Sequence, residues 1–221
     1  MHPGRAFAWD EASALQRFIA DVAFAHICIA VDGSPLTAHA PLAIEAQGAV
    51  GFHLARANPL VPHLDGACAV ATVLGENAYV SPDWYGTADQ VPTWNYRLVE
   101  ARGLVRRLDT AELTDQLDRL SAAQEARLAP KPAWTRDKLT PDRMASLLGA
   151  IVGFSIDRPA LRGIAKLGQN KRADERAGAI AALHARGDAT IATAMRDAAP
   201  ALTRATSGAG PGSGSCSGAA A

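Results

Sequence analysis

Gly51-Phe52-His53-Leu54-Ala55-Arg56-Ala57-Asn58-Pro59 joins a strand to a cationic turn. From Val50 to Leu54 the residues alternate as a half-buried strand does, and Asn58-Pro59 then gives a turn or helix-start signal. Between them Arg56 sits on a short loop of small residues whose backbone N–H groups are able to point at a ligand. An arginine fork beside backbone donors is what a terminal phosphate needs. The competing reading makes Arg56 one more surface arginine after a strand.

Working outward, the same stretch is the third strand of a meander. His26 to Val31 reads as a strand, and Asp32-Gly33-Ser34-Pro35 is a hairpin signal. Leu36 to Ile44 returns as a second strand, Gln47-Gly48 turns again, and Ala49 to Leu54 is the third. Short strands joined by tight turns favour a barrel or sandwich over a parallel sheet. Ahead of them Trp9 to Phe24 reads as an amphipathic helix, with Leu15, Phe18, Ile19 and Val22 at helical spacing and Asp10 placed to cap it. Beyond them come a helical turn at Pro59 to Leu64, strands at Ala67 to Leu74 and Ala78 to Val80, and one bent strand from Pro92 to Arg107. Helices are expected from Thr110 to Leu128, Pro141 to Leu148, Arg172 to Arg186 and Ala189 to Ala199. Strands are expected at Ala150 to Ile156 and Leu161 to Leu167. The elements therefore point to an antiparallel β-barrel or sandwich with added helices (α+β).

A chain of 221 residues with 48% hydrophobic content can bury one substantial core. One domain over 1–200 is expected, followed by a Gly/Ser/Ala tail over 206–221 that lacks the apolar surface to order itself. The formal net charge is zero, which argues against a strong nucleic-acid footprint. No charged-then-apolar leader and no apolar run of about 18 residues point to secretion or a membrane span. Cys28, Cys68 and Cys216 give an odd count without paired spacing, so a reducing, cytoplasmic setting is expected. His39, His53 and His63 lack zinc-like spacing, and no metal is expected. No Gly-x-Gly-x-x-Gly, Walker loop or Gly-x-Ser-x-Gly elbow is present.

Three further segments share the unusual composition of the opening stretch: Ala78-Tyr79-Val80-Ser81-Pro82-Asp83-Trp84-Tyr85, Val91-Pro92-Thr93-Trp94-Asn95-Tyr96 and Lys166-Leu167-Gly168-Gln169-Asn170-Lys171. With His53-Leu54-Ala55-Arg56-Ala57-Asn58-Pro59 they resemble, in order, the PaiB-type FMN-binding negative transcriptional regulators. That family is a branch of the flavin-binding split barrels, to which the pyridoxamine phosphate oxidases belong. The resemblance runs from about Trp9 to about Leu183. The chain departs from it at Leu54, where the family tends to carry Met, at Gly168, where it tends to carry Ser, and at Gly75-Glu76, where it tends to carry Gly-Pro.

The resemblance implies an antiparallel FMN-binding split barrel that works as a homodimer, with FMN at the subunit interface. Arg56, Ala57 and Asn58 would hold the phosphate, and His53 would lie by the phosphate or ribityl chain. The strand of Thr37, Ala38, His39 and Pro41 would run under the isoalloxazine with backbone N–H groups along one ring edge. Trp94 and Asn95 would lie near the flavin. Lys166, Gln169 and Asn170 would supply donors to its polar edge from the second subunit. Each assignment has a structural rival. A strand histidine is often a satisfied structural residue. The aromatics clustered from Trp84 to Tyr96, in a chain only 5% aromatic, also suit a hydrophobic cluster under a loop. Asn170 also suits a cap for the helix at Arg172.

Function stays open between two classes. One is FMN-dependent regulation of transcription, with DNA as a partner. The other is a flavin-dependent oxidoreductase or flavin reductase, or a haem-binding split barrel. Arg172 to Ala199 has a helix-turn-helix outline around Gly187, yet its second helix holds Arg196 as its only cation and lacks Asn, Gln or Lys for base edges. A packing or dimer role suits these helices better.

Overall fold

The computed structural model describes residues 4–198. The expected domain end near Pro200 and the tail over 206–221, with Cys216, lie outside the described residues. Eight strands form one antiparallel sheet: β1 (Ala8–Trp9), β2 (Phe24–Val31), β3 (Ser34–Ile44), β4 (Val50–Ala55), β5 (Cys68–Val80), β6 (Thr93–Arg107), β7 (Ile151–Ile156) and β8 (Ala160–Lys166). Their order is β1-β8-β6-β5-β2-β3-β4-β7, with β6 also pairing β7. Six helices accompany them: α1 (Ala12–Val22), α2 (Val61–Leu64), α3 (Thr110–Ala126), α4 (Pro141–Gly149), α5 (Ala173–Arg186) and α6 (Ala189–Asp197). The residues group into two compact units, one of 12–73 and 100–161, the other of 4–11, 74–99 and 162–198.

The first unit is the barrel. The β2–β3 hairpin turns at Asp32 and Gly33, both at positive φ (49° and 76°), the geometry that two-residue hairpins require. β3 passes to β4, β4 to β7, and β7 to the end of β6 through Val105↔Ile156, Arg106↔Ser155 and Arg107↔Phe154. Backbone bonds between Val105 and both Gly66 and Ala67 (2.9 and 2.8 Å) continue the ring toward β5. β5 then pairs β2 through His26↔Thr72 and Cys28↔Val70, which closes it. Alternate residues fill the inside: Ile27, Ile29, Leu42, Val50, Ala71 and Ile156 are fully or nearly fully buried. Phe52 and Phe154 stack there with ring centroids 5.5 Å apart.

Helices cover the outside of this barrel where glycines leave room for them. A Cβ at Gly153 would come within 2.8 Å of Leu113 on α3, and one at Gly51 within 2.3 Å of Gln116. Those two glycines let α3 lie close over β4 and β7. An Asp109–Glu112 capping box starts α3, and Arg106 bonds both Glu112 and Asp157.

The second unit packs α5 and α6 on the far ends of β5 and β6. Its core joins Val80, Tyr85, Leu167, Leu183, Ile191 and Met195. Gly187, at φ 94°, ends α5 in the left-handed conformation and sends the chain back as α6. β1 pairs β8 through Ala8↔Ile164 and Trp9↔Gly163.

Three expectations need correction. The first helix starts at Ala12 rather than Trp9, because Trp9 pairs with β8 instead. The strands expected at Ala67 to Leu74 and Ala78 to Val80 are one strand, since Gly75-Glu76 continues the extended backbone rather than turning. Asn170 is not the cap of α5. Arg172 holds that position, and Glu175 accepts its backbone N–H at 3.0 Å.

Candidate functional site

In the barrel unit the edge of β3 offers unused backbone donors. β3 pairs β4 only at Leu42, Ala43 and Ile44, so residues 36–40 have no strand on their outer side among the described residues. The Leu42 N–H donates to the Ala23 carbonyl at 2.9 Å, which sets the parity of the ladder. Even-numbered residues of β3 therefore bond toward β2, and the N–H and C=O of Thr37 and His39 face away from it. Pro35 and Pro41 fall on this outward parity, where a missing N–H costs no ladder bond. Thr37 and His39 are exposed, whereas Ala38 points into the core and is 4% exposed.

Arg56 follows β4 and ties the turn down. Its N–H donates to the Ala150 carbonyl at 2.8 Å, its Nε to Gly149 at 2.6 Å and its Nη2 to Ile151 at 3.0 Å. Nη1 has no hydrogen-bond partner among the described residues. Arg56 lines a cavity of about 380 Å³ together with Arg107, Asp109, Thr110 and Gly149. Arg107 was not among the residues picked out from sequence, and only its place at the end of a long strand could have marked it. Asn58 makes the turn itself: its Oδ1 accepts from the Leu60 N–H at 2.9 Å, just ahead of α2. Ala57 is exposed.

His53 stands on β4 three residues before Arg56. Its Nδ1 is buried without a hydrogen-bond partner, and burial holds its pKa below the ordinary imidazole value. A buried polar atom left unpartnered on the strand that leads into an arginine turn is an opening for a ligand.

The remaining residues picked out from sequence belong to the second unit. Lys166 Nζ donates to Thr93 Oγ1 at 2.6 Å and lies 6.0 Å from the Phe7 ring, with burial lowering its pKa. Asn95 is 1% exposed, with its amide on the Met195 sulfur at 3.3 Å. Gln169 closes its own turn: Nε2 donates to Ala165 at 2.5 Å and Oε1 accepts from the Leu167 N–H at 2.8 Å. Asn170 is exposed. The aromatic cluster divides in two. Tyr85 is core, with Lys171 Nζ 4.6 Å over its ring, and Trp84 lies under Arg186 at 5.4 Å. Trp94 is 50% exposed, donates its indole N–H to Asn77 at 3.1 Å and meets Tyr79 edge-on at 6.2 Å.

An FMN needs a cationic phosphate clamp, donors along a ring edge and flat apolar walls. The outward N–H groups of Thr37 and His39, the orphaned His53 Nδ1 and the remaining donors of Arg56 fit the first two demands. The donor set suits the group.

This is the architecture of the flavin-binding split barrels. Residues 1–157 match the family described as "Putative FMN-binding domain", and the chain belongs to that family, whose cofactor is FMN. It is 30% identical over 176 residues to the protease synthase and sporulation protein PAI 2 of Bacillus subtilis (strain 168), covering 77% of this chain and 83% of that protein. Among solved structures it is similar to the FAD and heme binding protein of Mycobacterium smegmatis, with TM-score 0.56, 18% identity and 78% and 79% of the two chains covered. It is also similar to the flavocytochrome Anf3 of Azotobacter vinelandii, with TM-score 0.51, 17% identity and 74% and 72% covered. At those identities the two structures speak for the fold alone.

No helix among the described residues is long and apolar enough to cross a membrane.

Proposed function

We propose that the protein is a homodimer that holds one FMN per chain and uses it in the regulatory manner of the PaiB type. The observation that carries the reading is the open edge of β3 beside an arginine turn with an unpartnered His53, all within the barrel unit. Arg56, assisted by Arg107, holds the phosphate, His53 Nδ1 bonds the ribityl chain, and the Thr37 and His39 N–H groups receive the ring's polar edge. Trp94, Lys166 and Asn170 of the partner protomer complete the pocket. Asn95 and Gln169 shape their own unit, because Asn95 is buried and both ends of the Gln169 amide close its own turn. FMN supplies reversible one- and two-electron chemistry when bound.

Regulation by direct base reading through α5 and α6 fits poorly. α6 buries Ile191, Ala192, Ala194 and Met195 in the core and keeps Arg196 against His184. That leaves Ala189, Thr190 and Thr193 as most of its exposed surface, with nothing to address a base edge. A cytoplasmic flavin-responsive partner of other regulatory proteins suits the chain better than a stand-alone DNA reader. The test mixes FMN-loaded protein with reduced nicotinamide and follows the flavin band, then titrates its own promoter DNA at several salt concentrations. Slow, non-catalytic bleaching without sequence-selective DNA retention supports a regulator that acts through other proteins, and sequence-selective retention would overturn the argument against direct base reading. Fast catalytic bleaching without DNA retention overturns it in favour of a flavin reductase.

A further inference from the structure

On the outer face of the barrel unit, His26 of β2 stands directly opposite His39 of β3. The ladder parity set by the Leu42 N–H makes this a non-hydrogen-bonded pair, in which Cα atoms approach to about 4.5 Å and side chains meet most closely. The two imidazole rings are 4.4 Å apart between centroids at 71°, edge to face. Both are exposed, and neither ring has a hydrogen-bond or ionic partner among the described residues. Phe24↔Pro41 lies on one side of the pair and Cys28↔Thr37 on the other, so no carboxylate or cation occupies the adjoining positions of the ladder. Thr72 of β5 stands beside His26.

Two imidazoles fixed on adjacent strands and exposed to solvent are a chelating pair. Imidazole nitrogen prefers Cu²⁺, Ni²⁺ and Zn²⁺ to Mg²⁺ or Ca²⁺, and among these Cu²⁺ binds most tightly. We infer that His26 and His39 form a two-imidazole site for a divalent transition-metal ion, with copper favoured. Among the described residues no group of three or more His, Cys, Asp or Glu is placed to hold a metal, so water or an outside donor completes the coordination. The site is open and exchangeable rather than a structural centre. It does not depend on the flavin reading, since it uses the side chains of this face and not the strand edge.

The experiment is a calorimetric titration of the full, tag-free protein with CuCl₂ and NiCl₂, with MgCl₂ as the control cation, at neutral pH. The expected result is one Cu²⁺ per chain, weaker Ni²⁺ binding and no Mg²⁺ response. His26→Ala and His39→Ala should each weaken Cu²⁺ at least tenfold, on the order of what loss of even an outer-shell partner costs. His63→Ala, an exposed histidine on α2, should leave it unchanged. Circular dichroism of each variant checks that the sheet is intact. Wild-type Cu²⁺ affinity in folded His26→Ala, or an equal loss in His63→Ala, would overturn the inference.

Discussion

Arg56 has two tasks, and its substitution should show both. Its Nε and Nη2 satisfy the carbonyls of Gly149 and Ile151, where the chain passes from α4 into β7. Removing them leaves those acceptors to water, so Arg56→Ala should lower stability by about 1–2 kcal/mol by urea unfolding. The same change should weaken FMN binding by about 1.5–3 kcal/mol in a fluorescence titration, the range of a charge-assisted bond. A stability loss with unchanged FMN affinity would move the phosphate elsewhere. His53 makes a second residue-scale prediction. Its folded pKa lies below the ordinary value of about 6.5, so the unfolded chain takes up a proton that the folded chain resists. The stability it contributes is present above about pH 6.5 and is lost as pH falls through that value toward the folded pKa. Wild-type urea midpoints should therefore fall more steeply than those of His53→Gln on acidification, and parallel curves would contradict the burial of this ring. The sequence exposed Arg56 as a candidate because it sits on a short loop of small residues between a strand and the Asn58-Pro59 turn signal. It hid the two carbonyls that Arg56 binds, which lie more than ninety residues away.

At the scale of elements, Gly178 is a joint packed against backbone. A Cβ there would stand 2.3 Å from the Trp84 carbonyl oxygen, which is backbone and cannot swing aside. Gly178→Ala should push α5 off the turn at Pro82–Tyr85 and destabilise the fold by about 1–3 kcal/mol in thermal or urea melts. Gly149, at the end of α4 with open space around it, is the control. Gly149→Ala should be neutral or stabilising by up to about 1 kcal/mol. A Gly178→Ala variant as stable as the wild type or more so would mean that the gain in helix propensity outweighs this contact. Most elements were legible: the Asp32-Gly33 hairpin, the long β6 and the Gly187 stop are local signals of turn chemistry and period. The merged β5 was not, because its continuity comes from pairing on both flanks rather than from its own Gly-Glu sequence. The helix start at Ala12 was lost for a similar reason, since Trp9 is claimed by a strand from the other end of the chain.

At the scale of the whole molecule, β2 to β7 pair into a barrel whose inside holds the stacked rings of Phe52 and Phe154. Phe52→Ala should cost about 3–5 kcal/mol and remove the cooperative melt of the barrel, followed by near-ultraviolet circular dichroism. The site candidates divide between the two compact units: Thr37, Ala38, His39, His53, Arg56, Ala57 and Asn58 in one, and Trp94, Asn95, Lys166, Gln169 and Asn170 in the other. The sequence grouped them only through family likeness, because no spacing along a chain reveals which distant residues meet one cofactor. That makes stoichiometry and assembly the decisive quantities. The most direct measurement is analytical ultracentrifugation of the FMN-loaded protein, followed both by protein absorbance and by the flavin band. The account predicts a single boundary at dimer mass carrying one FMN per chain. Flavin that stays behind as free FMN, or that travels with a monomer, would contradict it.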